Sequence, residues 1–402
     1  VDCDFVHLRG GEVYTSDSRI PTLKENATPL DDALRRDFTV NSLFYNLRTK
    51  QIEDWTGRGV SDLTNHSLLV TPLDAKITFH DDPLRVLRAI RFAVRYDLTL
   101  SEEIVNAAKS ADVNNSLHVK VSRERVGKEL EGMISGKNAK PCAALRLLTD
   151  LKLAGCVFEF PHNSSIEVKG ELFQGITYNG DQMTEVEQRK AREMTWLVCA
   201  EMIKYTTPLL QMVQKMRQDV ESLRIQVDER IFYLSTFLFP LRKVDTIDAK
   251  GKSTPLSSYI IRDSIKFKNK DVQSVTTLLE GVDELRSILN DFHSNANGDS
   301  SLSTKTFCRL RVGLVLRNLK DLWGTALLVA AIVEIHSISK TQSAAVCHRN
   351  LMDRLEEYIP RIYEFLDMIH KHKLDGSWKI RPLMDGKDLS KSLNIPKGPL
   401  IG

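Results

Sequence analysis

The spacing of apolar and polar residues changes along the chain. Residues 4–8 alternate with the period of two that is typical of a half-buried strand, and residues 51–55 form a second short candidate strand. From about Thr71 onward, apolar residues mostly recur with the spacing of amphipathic helices. We therefore predict the α+β class, with part of a sheet domain followed by a mostly helical remainder.

The clearest helical pattern covers residues 78–96. Upstream of it, Thr28 and Asp31 have the capping-box spacing of a helix start, and Asp37 is predicted to cap another helical stretch that runs to residue 45. Four arginines within residues 78–96 would share one stripe of a helix: Arg85, Arg88, Arg91 and Arg95. Further helices are predicted at residues 121–133, 143–153, 183–204, 209–236, 271–292, 304–336 and 351–370, the last kinked at Pro360.

Two polar segments, residues 163–181 and 293–303, are rich in Gly, Asn and Ser and indicate linkers. The predicted parts of the chain are the end of a sheet domain and three helical domains, at residues 1–70, 71–155, 156–300 and 301–402. The chain begins with Val1 and ends in turn-forming residues, and no signal or transit peptide is visible. We therefore expect a fragment of a longer protein, cut at both ends.

The amino-acid composition limits the classes of protein to which this chain can belong. Of the 402 residues, 42% are hydrophobic and 27% are charged, so the chain can form buried cores. The net charge is only +3, so any nucleic-acid contact must come from local basic patches. Residues 266–270 and 371–381 are candidates, with a solvated face as the alternative. The six cysteines include no CxxC pair, and the longest largely apolar run, residues 322–333, is too short to span a bilayer.

Residues 35–41 carry polar side chains that suit a nucleotide. Asp37 and Asn41 are four positions apart, so a helix would place them on one face, where an acceptor and an amide can bind both hydroxyls of a ribose. Arg35 and Arg36 could form bidentate hydrogen bonds with phosphate. The alternative is a capped helix with solvated arginines.

Asp82 and Arg85 lie one helical turn apart at the start of the arginine stripe. A carboxylate accepts from an exocyclic amine, and a guanidinium donates to carbonyl and ring-nitrogen acceptors, so together they can recognise the edge of a base. The alternative is an ordinary charged helix N-terminus. His80 with Asp81 would also suit a metal phosphohydrolase, but the further ligands that such a site needs are not found in the sequence.

Residues 122–129 form a third charged group. Glu124 with Lys128, and Arg125 with Glu129, have the spacing of ion pairs along a helix. The default interpretation is a structural helix, and its predicted role is to support a neighbouring site.

Together, in this order, these groups resemble the class II tRNA nucleotidyltransferases, the CCA-adding enzymes, in their eukaryotic form. Five stretches carry the resemblance: the RRDxxxNAL motif at residues 35–43, with Ser42 where alanine is usual; a glycine-containing hinge motif at 53–63; the (E/D)DxxR motif and its helix at 81–93; the motif that supports this helix at 121–126; and a tail segment at 385–389 with 397–399.

The resemblance implies a nucleotidyltransferase head followed by a helical neck, body and tail, which correspond to the four predicted parts. It implies transfer of CMP, CMP and then AMP from CTP and ATP to the 3′ end of tRNA, assisted by Mg²⁺. The implied site residues are Asp37 and Asn41 at the ribose, Arg35 or Arg36 at the triphosphate or ribose, Asp82 with Arg85 at the base, Arg88 also at the nucleotide, Gly57 and Gly59 as a hinge, and Arg123, Glu124 and Arg125 in support.

The family's principal metal ligands, an Asp-x-Asp strand after a glycine turn, are expected upstream of Val1. Asp4 is a candidate third carboxylate facing the metals, although Asp2 shares its strand face. We therefore expect residues 1–402 alone to be inactive. The resemblance also implies the mitochondrion and the cytoplasm or nucleus as compartments, and no membrane partner. A poly(A) polymerase and a non-catalytic RNA-binding relative remain open as alternatives.

Overall fold

The computed structural model describes residues 6–10, 27–65, 67–161, 165–169, 171, 173, 185–219, 225–294, 309–341, 351–380 and 390–392. The chain divides into two compact units. Unit 1 contains Val1–Thr207 and Tyr233–Thr276, and unit 2 contains Pro208–Phe232 and Thr277–Gly402. Helices and short strands occur together, which confirms the predicted α+β class, whereas the four predicted part boundaries stay a prediction.

The first helix in the described residues of unit 1 is α1, Pro29–Leu34, which begins where the capping box predicts. The Thr28 hydroxyl accepts from the Asp31 N–H at 3.2 Å, and the Asp31 carboxylate accepts from the Thr28 N–H at 2.9 Å. These two bonds satisfy donors that a helix start otherwise leaves free.

The helix predicted from Asp37 to residue 45 is wrong. One 3₁₀ turn, Thr39–Asn41, is followed by strand β1, Phe44–Asn46, which pairs antiparallel with β2, Gln51–Glu53. The Asp37 carboxylate accepts from the next backbone N–H, that of Phe38, rather than from a helical turn. Strand β2 confirms the strand predicted at residues 51–55.

The predicted single helix over residues 78–96 is also wrong. Helix α3, Ala75–Asp81, ends before Asp82, and helix α4, Arg85–Tyr96, begins after Pro83. A residue before proline is disfavoured in the helical conformation, and Asp82 is accordingly extended, with φ −136° and ψ 99°. Helix α2, Gly59–Thr64, precedes this region, and the parallel strands β3, Leu68–Leu69, and β4, Thr99–Leu100, flank it.

The rest of unit 1 is mostly helical. Its helices α5 to α10 are Glu102–Ala108, Ala111–Lys120, Arg123–Ile134, Pro141–Asp150, Ala154–Val157 and Glu185–Ile203. It also contains a three-stranded antiparallel sheet of β5, Ser165–Val168, β6, Val244–Ile247, and β7, Ser253–Pro255, which the sequence analysis missed. The first of these strands lies in the predicted linker. Helix α13, Leu256–Tyr259, continues into a π-helical turn, Ile260–Ser264.

The helix predicted at residues 209–236 is two helices in the structure. Helix α11, Thr206–Asp219, and helix α12, Glu229–Leu238, are separated by residues 225–228, which are not helical. The long helix α14 runs over Asn269–Ser294, close to its predicted bounds.

The helix predicted at residues 304–336 is also two helices. Helix α15, Arg309–Leu319, and helix α16, Trp323–Thr341, flank a 3₁₀ turn that starts at Lys320, whose φ of +52° breaks the helical path. Helix α17, Leu351–Lys371, contains Pro360 and confirms the helix predicted at residues 351–370, whereas the kink at Pro360 stays a prediction.

Helix α16 forms the centre of unit 2. Every side chain from residue 326 to 333 is fully buried, so the longest apolar run of the sequence belongs to a protein core. In the described part of the chain, no helix has the length and apolar character needed to cross a membrane.

Candidate functional site

The Asp37 carboxylate lies at the centre of the candidate site. It is only 5% exposed, and its two oxygens have different partners. Oδ1 accepts from the Asn41 amide at 2.9 Å, and Oδ2 accepts from Nε of Arg88 at 2.6 Å. The structure therefore brings together Asp37, Asn41 and Arg88, although a 3₁₀ turn and not an α-helix places the first two side by side.

The Arg88 guanidinium stays charged within this cluster. Burial opposes its charge, but the nearby carboxylates of Asp37, Glu129 and Asp82 outweigh burial and raise the pKa of Arg88 above its ordinary value. The guanidinium also lies over the Phe92 ring, 5.6 Å from its centroid. A fixed positive charge therefore stands directly beside the Asp37 carboxylate.

Arg35 and Arg36 share a carboxylate that the sequence analysis missed. Asp32, which is 3% exposed, accepts from Nε of Arg35 and from Nη2 of Arg36, both at 2.8 Å. Burial acts to raise the pKa of Asp32, but the hydrogen bonds from Arg36, Arg35 and the Arg9 backbone lower it overall. The spacing of three and four positions along α1 is a signal that could have identified Asp32.

Both arginines remain partly open to solvent. The exposed fraction is 29% for the side chain of Arg35 and 33% for that of Arg36. Arg36 also donates to the Asn41 carbonyl at 3.1 Å, which links the arginine pair to the Asp37 cluster. These guanidinium groups are therefore held in place and still accessible to an anion.

The side chains of the predicted pair Asp82 and Arg85 have separate partners in this structure, and the two residues are joined through the backbone, where the Arg85 N–H donates to the Asp82 carbonyl at 3.0 Å. Asp82 accepts from Nη2 of Arg125 at 2.7 Å and from the Leu84 N–H at 3.2 Å. Arg85 donates to the carbonyl of Arg35 at 2.7 Å and to that of Thr78 at 3.3 Å. Arg85 therefore connects α4 to the end of α1, while Asp82 is connected to α7.

The supporting motif acts mainly through backbone contacts. Arg123 donates to the carbonyls of Ser264 at 2.6 Å, Cys156 at 2.8 Å and Val157, and it pairs with Glu159 at 2.7 Å. Burial lowers the pKa of Arg123, and Glu159 offsets this only in part. Arg123 therefore ties the start of α7 to the end of α9 and to the π-helical turn.

The other two members of the motif lie nearer the solvent. Glu124 is exposed, and hydrogen bonds from its own N–H and from Ser122 lower the pKa of its carboxyl. The predicted ion pair of Arg125 with Glu129 is wrong, because Arg125 reaches Asp82, whereas Glu129 faces Arg88 and Arg91.

The two glycines of the predicted hinge have different surroundings. Gly57 has φ +72° and open space around it, which a glycine accommodates without strain. Gly59 is the first residue of α2, and a Cβ there would lie 2.5 Å from the Thr39 carbonyl oxygen. The Asp54 carboxylate caps this turn by accepting from Thr56 and from the Val60 N–H, and these bonds outweigh burial and lower its pKa.

The described residues contain no group of three or more His, Cys, Asp or Glu side chains that could hold a metal ion. The predicted catalytic Asp4 and the tail segments at 385–389 and 397–399 lie outside the described residues.

Comparisons with known proteins connect this site to a family. Residues 3–69 match the family model described as the Poly A polymerase head domain. The whole chain is 31% identical to a Candida glabrata protein named CCA tRNA nucleotidyltransferase, mitochondrial, and covers 71% of it. It is 32% identical to the Saccharomyces cerevisiae protein of the same name and covers 69% of that protein.

Among solved structures, that of the Bacillus stearothermophilus CCA-adding enzyme in complex with CTP aligns with a TM-score of 0.46 at 16% identity. The alignment covers 94% of this chain and 68% of that one. It is the sequence identity to the two yeast proteins, which extends over the full chain, that establishes the assignment: the chain belongs to the CCA tRNA nucleotidyltransferase family.

Proposed function

We propose that this protein adds cytidine, cytidine and adenosine to the 3′ end of tRNA, using CTP and ATP. The relatives that match over the full chain are named for this activity. The observation in the structure that supports the proposal is the meeting of Asp37, Asn41 and Arg88, because it joins the pair proposed for the ribose to α4, the helix that begins at Arg85.

In this proposal, Asp37 and Asn41 bind the ribose hydroxyls of the incoming nucleotide. Arg35 and Arg36 bind its phosphates with the guanidinium surface that Asp32 leaves exposed. Asp82 and Arg85 meet the base, Arg88 joins the two groups, and Arg123, Glu124 and Arg125 support α4. Gly57 and Gly59 form the proposed hinge.

The proposed chemistry is in-line attack of the tRNA 3′ hydroxyl on the α-phosphate, with pyrophosphate leaving. Mg²⁺ is the proposed cofactor on family grounds, and its chemistry when bound is to neutralise charge that develops on the phosphate oxygens. Asp4 is the proposed catalytic carboxylate. That residues 1–402 alone are inactive stays a prediction, which labelled addition by this segment would contradict.

The proposed compartments are the mitochondrion, by likeness to the two relatives that are named mitochondrial, and the cytoplasm or nucleus. The proposed partners are tRNA, CTP and ATP. Fluorescent tagging of the full-length protein in cells would test the compartments, and exclusion from mitochondria would contradict the first of them.

The activity is tested with the full-length protein, labelled CTP and ATP, and tRNA that lacks its terminal CCA. Addition of three residues and no more is the expected result. Incubation with ATP alone and tRNA ending in CC separates the alternatives, because one added residue supports the proposal and a long tail supports a poly(A) polymerase. tRNA binding without any incorporation would instead support the non-catalytic relative.

A further inference from the structure

Glu129 on α7 faces the arginine stripe of α4. Its carboxylate accepts from Nε of Arg91 at 2.6 Å and lies 3.6 Å from Nη1 of Arg88. The residue is only 9% exposed. A carboxylate that is removed from water in this way needs cationic partners, and α4 supplies two of them.

Two carboxylates and two guanidinium groups form a chain of alternating negative and positive charge, which runs from Asp37 to the contact between α4 and α7. Asp37 binds Arg88, Arg88 lies beside Glu129, and Glu129 binds Arg91. Arg88 therefore stands between two carboxylates, one in the proposed ribose site and one outside it. Removing the outer carboxylate would leave Arg88 with Asp37, its nearer partner at 2.6 Å, and without the second anchor at 3.6 Å.

The contact between the two helices is too close to rearrange freely. A Cβ at Gly132, one turn after Glu129, would lie 2.8 Å from Cδ of Arg91. Arg95 donates to the Gly132 carbonyl at 2.7 Å. Arg91 is therefore confined against α7, and it in turn fixes the carboxylate of Glu129.

We propose that Glu129 is a positioning residue of the nucleotide site, which sets the position of Arg88 and through it the Asp37 carboxylate. This inference rests on the proposed role of Asp37 and Asn41 at the ribose. With Glu129 in place, the charge of Arg88 is shared between two carboxylates. Without it, the Arg88 guanidinium loses one of its two anchors and can shift, and the Asp37 carboxylate bonded to it at 2.6 Å shifts with it relative to Asn41.

Because every ribonucleotide carries the same ribose, the loss should not depend on the base. In the full-length protein, Glu129→Gln should weaken CTP and ATP binding alike, by roughly tenfold, the scale of one hydrogen bond to a charged group. The affinity for dCTP, which lacks the 2′ hydroxyl, should change much less. The ratio of CTP to dCTP affinity should therefore fall in the variant.

Equilibrium binding of CTP, ATP and dCTP is the measurement, with tRNA affinity and the thermal unfolding midpoint recorded in parallel. Glu131→Gln is the matched control, because Glu131 lies on the same helix and is exposed, and it should leave all three affinities unchanged. Glu129→Asp keeps the charge and should restore part of the loss, and it replaces Glu129→Gln should that variant fail to fold.

Equal losses of CTP and dCTP affinity, or no change in either, would overturn the inference. So would a change confined to the choice between CTP and ATP. Binding is measured without turnover, so the outcome is separate from that of the activity assay. A wild-type protein that binds CTP and adds nothing to tRNA contradicts the proposed function and leaves the test of Glu129 intact.

Discussion

Asp32 shows at the scale of one residue how a buried carboxylate stays ionised. Two guanidinium groups and a backbone N–H bond to it, and they lower its pKa below the ordinary value of 3.8 although burial acts in the opposite direction. The unfolded chain therefore binds a proton at a higher pH than the folded chain does. The stabilisation is present above about pH 3.8 and is lost as the pH falls through the lower folded value.

We expect Asp32→Asn to lower the free energy of unfolding by about 2 kcal/mol at neutral pH, since it removes hydrogen bonds to charged groups. The difference between the variant and the wild type should shrink below pH 4, near and below the ordinary value of 3.8. Urea unfolding at pH 7, 5 and 3 measures both effects. Asp150→Asn, at an exposed helix end, is the control, and a difference that stays constant with pH would contradict the explanation.

Arg85 tests the proposed base contact at the same scale. Arg85→Ala in the full-length protein should blur the choice between nucleotides more than it weakens tRNA binding. Because Arg85 also holds two backbone carbonyls, the thermal midpoint must be compared as well. Arg146→Ala, at an exposed position of α8, is the control, and unchanged selectivity with lost tRNA binding would remove the proposed role.

At the scale of the element, the turn that leads into α2 depends on two glycines for different reasons. Gly59→Ala places a methyl group against the Thr39 carbonyl oxygen, so we expect destabilisation by about 1–3 kcal/mol. Gly57→Ala meets no atom but keeps a positive φ, and about 1–2 kcal/mol is expected from backbone strain.

Denaturant unfolding of the two variants measures these costs. The rate of nucleotide addition then distinguishes an effect on stability from an effect on hinge motion. Gly57→Ala should slow addition because the proposed hinge bends less easily. Gly59→Ala should mainly lower the free energy of unfolding. A Gly59→Ala variant as stable as the wild type would show that the carbonyl of Thr39 moves aside easily.

Short sequence motifs predicted the helices whose position depends on neighbouring residues in the chain. The capping box at Thr28 placed the start of α1, and the arginine spacing placed the stripe of α4. The helix over residues 78–96 was wrong because the pattern of apolar residues outweighed the constraint that Pro83 sets on Asp82. The strands β5 and β6 are far apart in sequence, and their pairing depends on tertiary contacts that no short window contains.

The sequence identified most residues of the candidate site, but it did not predict which of them are hydrogen-bonded or ion-paired to each other. Asp37 and Asn41 meet as expected, but Asp32 was not identified, and Glu129 was paired with Arg125 instead of with Arg88 and Arg91. The side chain of Glu129 faces α4 because of how two helices pack, and helix spacing alone offers Arg125 as an equally suitable partner. The spacing of residues in the sequence indicates which side chains can be neighbours within one helix, but it does not indicate which side chains of two different helices meet.

At the scale of the whole molecule, a net charge of +3 means that tRNA binding must depend on local cationic groups. Lys266, Lys268 and Lys270 are exposed within a few positions of one another. If they contact phosphates, each contact contributes about 0.9 or less to the slope of log affinity against log salt concentration.

Replacement of these three lysines by alanine should weaken tRNA binding and flatten its salt dependence by about 2 to 3. Filter binding at several salt concentrations measures the slope. A triple alanine variant at exposed Lys76, Lys109 and Lys120 removes the same charge and is the control. Equal slopes for the two triple variants would show that residues 266–270 form only a solvated face.

The acceptor that Asp82 would offer to a base is already taken by Arg125. This pair is partly exposed and therefore worth no more than about 1 kcal/mol. Cytosine and adenine carry an exocyclic amine that can replace the guanidinium, whereas uracil and guanine present a carbonyl oxygen in its place and cannot. If Asp82 contacts the base as proposed, Arg125 competes with the incoming base for this carboxylate, and the amine of cytosine or adenine can displace it. Arg125→Met should accordingly strengthen binding of CTP and ATP more than binding of UTP, because the carbonyl oxygen of uracil still faces the Asp82 carboxylate, and equilibrium binding of the three nucleotides measures this.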